Sequence, residues 1–159
     1  MDKQKLVGQI LTELTVKYET LCQAAKASHD IATHEDSKAE NEYDTRGLEA
    51  SYLAGAQSKR AIELEQAISI YKTLKIKDFG PEDSIDLTAL VELESEGRNS
   101  FYFIGPEGGG MKLHQEGETV VVITPESPLG KSLMEKEIDD DVEVTKGIAM
   151  KSYSIVDLY

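Results

Sequence analysis

Two apolar seams, each stepping by four and three residues in turn, fix most of what this chain can fold into. The first runs Val7, Leu11, Leu14, Tyr18, Leu21 and Ala25, widened by Ile10 and Cys22. The second runs Tyr43, Gly47, Ala50, Ala54, Gln57, Ala61, Leu64, Ile68 and Tyr71. Such spacing places every named residue on one face of a helix, as in a coiled coil. No proline precedes Pro81, and good helix formers dominate both stretches. The pattern predicts a first helix from about Lys3 to about His29 and a second that ends near Tyr71. Two helices joined by a short segment form an antiparallel hairpin.

Both seams are graded. Beside the joining segment the second carries Gly47, Ala50 and Ala54, and far from it Leu64, Ile68 and Tyr71. The first falls from Val7, Leu11 and Leu14 to Ala25. Folded back on each other, the helices pack thickly at the base and thinly at the tip. An arm of ~25 residues would reach ~38 Å at the helical rise per residue. Gly47 costs roughly 1 kcal/mol of helix stability relative to alanine, which softens the turn nearest the tip. The small tip-side seam favours a slim projection. A dimerisation element, or a hairpin packed along its whole length, is the alternative.

The joining segment, His34-Glu35-Asp36-Ser37-Lys38-Ala39-Glu40-Asn41-Glu42-Tyr43-Asp44, holds five carboxylates in eleven residues. Carboxylate oxygens suit Mg²⁺, a hard cation that keeps several waters and is typically held by one or two protein carboxylates. Two carboxylates on a loop bind it weakly. Such a site matters only where another protein completes the coordination sphere. The other reading is a solvated polar loop.

A length of 159 residues bounds the chain to one domain or two small ones. Hydrophobic content of 40% with 30% charged residues fits a globular protein. No apolar run approaches the ~20 residues of a membrane helix. Met1-Asp2-Lys3-Gln4-Lys5 leads into an amphipathic pattern without a signal-peptide core. Cys22 is the only cysteine, so no intrachain disulfide forms, and a cytoplasmic location is expected. The net charge of -13 is uneven: residues 1–77 carry 12 acids and 11 bases, residues 78–159 carry 18 acids and 6 bases. The second half repels naked nucleic acid and accepts a basic protein surface. Simple solubility accounts for the same charge.

Past Lys77 the texture changes. Ile85, Leu87, Ala89, Val91 and Leu93 alternate with Asp86, Thr88, Leu90 and Glu92, a strand signature. Glu96-Gly97-Arg98-Asn99 reads as a turn, Phe101–Ile104 as a buried strand, residues 105–110 as a loop and Thr119–Thr124 as a strand. Ser127-Pro128 offers an N-cap with proline at the first helical position, opening a short helix to about Glu135. Asp139-Asp140-Asp141 turns the chain into Val142-Glu143-Val144, and Lys146-Gly147 turns it again toward a last strand from Tyr153 to Leu158. The sum is α+β: a helical hairpin over 1–76 with its acidic tip near 34–44, then an antiparallel-sheet domain with one short helix over 77–159.

Other chemistry finds little support. Gly108–Gly110 lacks the Gly-Lys-Ser/Thr ending of a phosphate loop, and no helix start follows it. His29 and His34 stand five apart, off one helix face, with no cysteine beside them for a zinc site. No Gly-x-Ser-x-Gly or His-Glu-x-x-His element occurs.

The chain resembles the bacterial Gre transcript-cleavage factors over nearly its whole length. Ser127-Pro128-Leu129-Gly130-Lys131-Ser132-Leu133-Met134-Glu135-Lys136-Glu137, Asp140-Asp141-Val142-Glu143-Val144 and Tyr153-Ser154-Ile155-Val156-Asp157-Leu158-Tyr159 are similar to the family's closing pattern. Asp36-Ser37-Lys38-Ala39-Glu40-Asn41-Glu42-Tyr43 resembles its tip motif, Asp-x-x-Glu-Asn-x-x-Tyr. The resemblance implies a coiled-coil hairpin and an FKBP-like C-terminal domain. It implies a monomer that docks on RNA polymerase with the globular domain and passes the hairpin down the secondary channel, with indirect contact to the RNA 3′ end. Asp36 and Glu40 would then help hold an Mg²⁺ ion shared with the polymerase, with Glu35 and Glu42 in reserve and Asn41 and Tyr43 shaping the tip. Two-metal hydrolysis of backtracked RNA follows, and the catalysis belongs to the polymerase.

The spacing departs from the family's. Glu40 stands four residues after Asp36 rather than three, while anchoring on Asp36 and Tyr43 puts Ala39 in the glutamate position. Some Gre-like proteins occupy the same channel and inhibit or retune transcription, so cleavage stimulation and modulation are both expectations. The FKBP-like domain also raises a peptidyl-prolyl isomerase. With no Trp and three Phe, an aromatic-lined proline pocket would be thinly furnished.

Overall fold

A computed structural model describes residues 1–34, 46–146 and 149–159. Helix α1 spans Lys3–Thr33 and α2 spans Arg46–Thr73. Strands β1 (Leu90–Ser95), β2 (Arg98–Ile104), β3 (Lys112–Gln115) and β4 (Glu118–Ile123) precede the short helix α3 (Pro128–Leu133), and β5 (Asp141–Lys146) and β6 (Ala149–Leu158) close the chain. Two compact units result: Leu11–Ser69, and Met1–Ile10 together with Ile70–Tyr159. The α+β class expected from the sequence is the observed one.

Local chemistry sets the helix ends. Asp2 caps α1, its Oδ1 accepting the N–H groups of Gln4 at 2.9 Å and Lys5 at 3.2 Å. Beyond the expected end at His29, α1 runs on to Thr33, because Ser28 and Ala32 continue the three-and-four spacing after Ala25. In α2, Glu49 in the first turn and Lys72 in the last both complement the helix dipole. In α3, Ser127 accepts from the Gly130 N–H and Pro128 follows at the first helical position, as the sequence predicts. That helix stops at Leu133, short of Glu135. Glu135 takes a left-handed φ of 65°, and its N–H turns to the Ile85 carbonyl at 2.9 Å.

The six strands form one sheet in the order β3-β4-β2-β1-β6-β5. Four of the five pairings are antiparallel, and β2 with β4 is parallel. The four-residue β3, which falls in a stretch left without a strand by the sequence pattern, explains the exception. It occupies the sheet edge, so β4 returns between it and β2, alongside β2 in the same direction. Glu96-Gly97 and Glu116-Gly117 make the two-residue hairpin turns, each with φ positive at both positions (54° and 75°, 57° and 88°). That sign matches the right-handed twist of the flanking strands.

The first strand begins at Leu90 rather than Ile85. Asp86 breaks the extension: its carbonyl accepts from the Ala89 N–H at 3.1 Å, its Oδ1 from the Leu87 N–H at 2.7 Å, and Thr88 sits at a φ of 74°. Lys77, then the Leu87 N–H, holds the Asp86 carboxyl below the usual carboxylate range. The last strand is longer than expected, starting at Ala149 rather than Tyr153. The turn expected at Lys146-Gly147 runs into residues 147–148, outside the described residues.

One sheet face buries Val91, Leu93, Ile104, Val142 and Ile155 against Leu133 of α3 and the incoming Ile85 and Ala89. Alternation puts Leu90, Phe103, Leu113, Val120 and Val122, all nearly inaccessible, on the other face. The same unit buries Leu6, Ile10 and Tyr71. Two amide exchanges tie the N-terminus to edge strand β3. Gln9 gives its Nε2 to the His114 carbonyl at 3.0 Å and takes the His114 N–H on Oε1 at 3.3 Å. Gln115 accepts from the Asp2 N–H at 2.9 Å and donates to the Asp2 carbonyl at 3.2 Å.

Tyr71, in the last turn of α2, donates its hydroxyl to the Glu107 carbonyl at 2.6 Å. Burial raises this phenol well above its ordinary range, so the proton stays on. The contact exists because residue 105 is glycine. A Cβ there would collide with the Tyr71 hydroxyl and lie 3.1 Å from Val122 Cγ1. Gly105→Ala is expected to destabilise the fold by about 1–3 kcal/mol, the usual cost of overpacking. The loss should shrink in a Tyr71→Phe background, which removes the colliding atom. A double-mutant cycle by urea unfolding checks the sign of this coupling.

Candidate functional site

The candidate site is the unit Leu11–Ser69, in which α1 and α2 run antiparallel. Ser28 of α1 meets Gln57 of α2 through a hydrogen bond of 3.0 Å, Ser28 Oγ donating to Gln57 Oε1. Farther from the joining segment, Tyr18 and Cys22 line a groove of 280 Å³ with Ser58, Ile62 and Glu65. A second groove, of 370 Å³, lies between Val16, Leu21 and the pair Arg60 and Leu64. As α1 ascends, its partners on α2 descend, which fixes the direction of pairing.

The seam of α2 is buried or half-buried at the positions its spacing names: Gly47, Ala50, Ala54, Gln57, Ala61, Leu64 and Ile68. The taper is present as well. Within the unit the buried residues of the basal end are Leu14, Ala61, Ala67 and Ile68. Toward the tip the buried contact is the polar one at Ser28, while Ile31, Leu48, Tyr52 and Leu53 are each more than half exposed. Leu48, Tyr52 and Leu53 stand off the seam in sequence, so the helical period turns them outward. The Tyr18 phenol is raised first by its hydrogen bond to the Cys22 thiol and then by the Glu65 charge.

The Ser28–Gln57 pair is a feature that reading apolar positions passes over. Its signal is the spacing: Ser28 lies three residues after Ala25 and so continues the stripe with a hydroxyl. A buried hydroxyl here needs a partner, and the seam glutamine supplies it. This link fixes the register of the thin end at the place where few apolar atoms remain to do so.

Helix α1 ends at Thr33 and α2 resumes at Arg46, so the two helices bracket the acidic segment. Asp36 and Glu40, the reserves Glu35 and Glu42, and the tip-shaping Asn41 and Tyr43 all lie outside the described residues. Among the described residues, no three His, Cys, Asp or Glu side chains gather to hold a metal ion. No helix of the described residues is long and apolar enough to cross a membrane.

The Ser28–Gln57 link makes an asymmetric prediction. Gln57→Leu alone strands a buried hydroxyl and is expected to cost about 1–2 kcal/mol. Ser28→Ala with Gln57→Leu removes both partners and should recover most of that loss. Helical signal during thermal unfolding of the three variants measures it.

No family model and no curated protein matches the chain. Among solved structures it is similar to the GreA factor homolog 1 (Gfh1) protein of Thermus thermophilus, at 19% identity over 96% of this chain and 94% of that one, with a TM-score of 0.39. Thermus aquaticus Gfh1 is 21% identical over 96% of this chain and 92% of its own, with a TM-score of 0.40. A prokaryotic transcription elongation factor GreA/GreB from Nitrosomonas europaea is 16% identical over 60% of this chain and 78% of its own, with a TM-score of 0.37.

Proposed function

We propose that this chain is a Gre-type regulator of RNA polymerase, a cytoplasmic monomer that places its acidic hairpin tip in the polymerase's secondary channel. The observation that carries this reading is the pairing of α1 with α2 into an antiparallel hairpin that thins toward a segment with five carboxylates in eleven residues. The resemblance of Asp36–Tyr43 to the tip motif and of Ser127–Tyr159 to the closing pattern of the Gre family supports the same reading.

The chain works by delivery rather than by chemistry of its own. Hard carboxylate oxygens at Asp36 and Glu40, with Glu35 and Glu42 close in sequence, form a donor set that suits Mg²⁺. When bound, a divalent ion supplies charge stabilisation for phosphodiester hydrolysis. The hairpin's part is to hold the carboxylates at a narrow end and so raise their effective concentration beside an active centre they would otherwise reach rarely. Asn41 and Tyr43 shape the turn that aims them. Weak binding of the ion by the free chain is part of this reading, since the coordination sphere closes only on the polymerase.

The four-residue step from Asp36 to Glu40 supports a second reading within the same channel: occupancy that inhibits or retunes elongation without cleavage. Stalled elongation complexes separate the two. The chain is expected to release short 3′ RNA fragments in the presence of Mg²⁺, and Asp36→Ala with Glu40→Ala to lower that release by at least 100-fold. Altered elongation without fragment release selects the modulator reading. No effect on the polymerase at all rejects both.

A further inference from the structure

The sheet has two edges, and the chain treats them differently. At the β3 edge the Gln9 amide occupies both the N–H and the carbonyl of His114. At the β5 edge no such cover exists among the described residues. The alternation of the β5–β6 ladder identifies the groups left over. Ile155 gives its N–H to the Asp140 carbonyl at 2.9 Å, making 140 and 155 a bonded pair. The register that follows, Val142 with Tyr153 and Val144 with Lys151, turns those residues' backbone groups inward toward β6. Asp141, Glu143 and Thr145 therefore present their N–H and carbonyl groups outward, and all three residues are exposed.

Charge and shape narrow what can pair there. Asp141 and Glu143 place carboxylates on the face away from the core, and the half of the chain that contains them carries 18 acids against 6 bases. Like charge disfavours edge-to-edge pairing with a second copy and favours a strand that carries cations. Beside β5 lies a groove of 290 Å³ lined by Ile123, Pro128, Leu129, Val144, Thr145 and Tyr153. Val144 and Thr145 alternate to opposite faces, yet both line it, so the groove reaches round to the strand edge.

We propose that the β5 edge is a docking site for an extended protein segment that alternates basic and apolar residues and binds by adding a strand to the sheet. Backbone hydrogen bonds to Asp141, Glu143 and Thr145 supply affinity. Basic side chains meet Asp141 and Glu143, and apolar ones face Pro128, Leu129 and Val144. This is strand addition in its general form, in which the main chain binds and alternate side chains select. The site is separate from the hairpin tip and stands whether or not the tip reaches a polymerase.

The test uses the full chain and a synthetic capped heptapeptide of alternating lysine and valine. Amide hydrogen exchange read by NMR is expected to slow at least tenfold at Glu143 and Thr145 when the peptide is added. A fully N-methylated peptide of the same sequence, which keeps charge and apolar surface but cannot donate, should leave both amides unchanged. Glu143→Lys, a surface change, should weaken parent-peptide binding at least tenfold. Unchanged exchange at both amides, or equal slowing by the methylated peptide, overturns the proposal.

Discussion

The antiparallel seam between α1 and α2 is the constraint on which the functional architecture depends. Isolated helices of this length are marginal in water, so each arm persists because its stripe is buried by the other. The stripe is not uniform. Leu14 and Ile68 supply apolar area at the basal end, and by Ser28 and Gln57 the seam has become a hydrogen bond between side chains. Apolar burial is non-directional and tolerates slippage, whereas a single hydroxyl–amide pair does not. The thin end thus keeps a defined register with little bulk. A slender end with defined register is what a carboxylate-bearing probe needs, and a wide apolar seam continued to the tip would make it too thick.

The sheet unit shows the complementary strategy, in which polar groups finish what packing begins. The Gln9 and Gln115 amides imitate a further strand at the β3 edge, and the Tyr71 hydroxyl closes the glycine loop at Glu107. Each is a side chain satisfying a backbone group that would otherwise be stranded. Their absence at β5 is therefore informative. An edge left open in a sheet whose opposite edge is so deliberately covered invites a partner of opposite charge.

Much of this was legible in the sequence, and the reason is periodicity. The seam positions from Gly47 to Ile68 are the buried ones, because a helix repeats its environment every three to four residues. The Ser127-Pro128 cap was legible because its chemistry is local. Strand β3 was not, since four residues give too short an alternation to stand out from the glycine-rich loop before it. The start of β1 was misplaced because Ile85 and Leu87 keep an alternating pattern while Thr88 adopts a left-handed backbone, which composition does not reveal. The parallel pairing of β2 with β4 depends on β3 and was hidden with it. At the candidate site, Ser28 escaped notice because a polar residue in an apolar stripe reads as a gap until its partner is found.

The central claim is that this hairpin carries residues 35–44 to a polymerase active centre. Its most direct measurement needs no assumption about what the tip does on arrival. Fe²⁺ substituted for Mg²⁺ in the active centre of RNA polymerase generates hydroxyl radicals locally, and these cut any polypeptide held nearby. Mapping the cuts in this chain, bound to the enzyme, is predicted to show cleavage within residues 35–45 and none in β1–β6. Cuts confined to the sheet, or an intact chain under conditions where it binds the polymerase, would contradict the account.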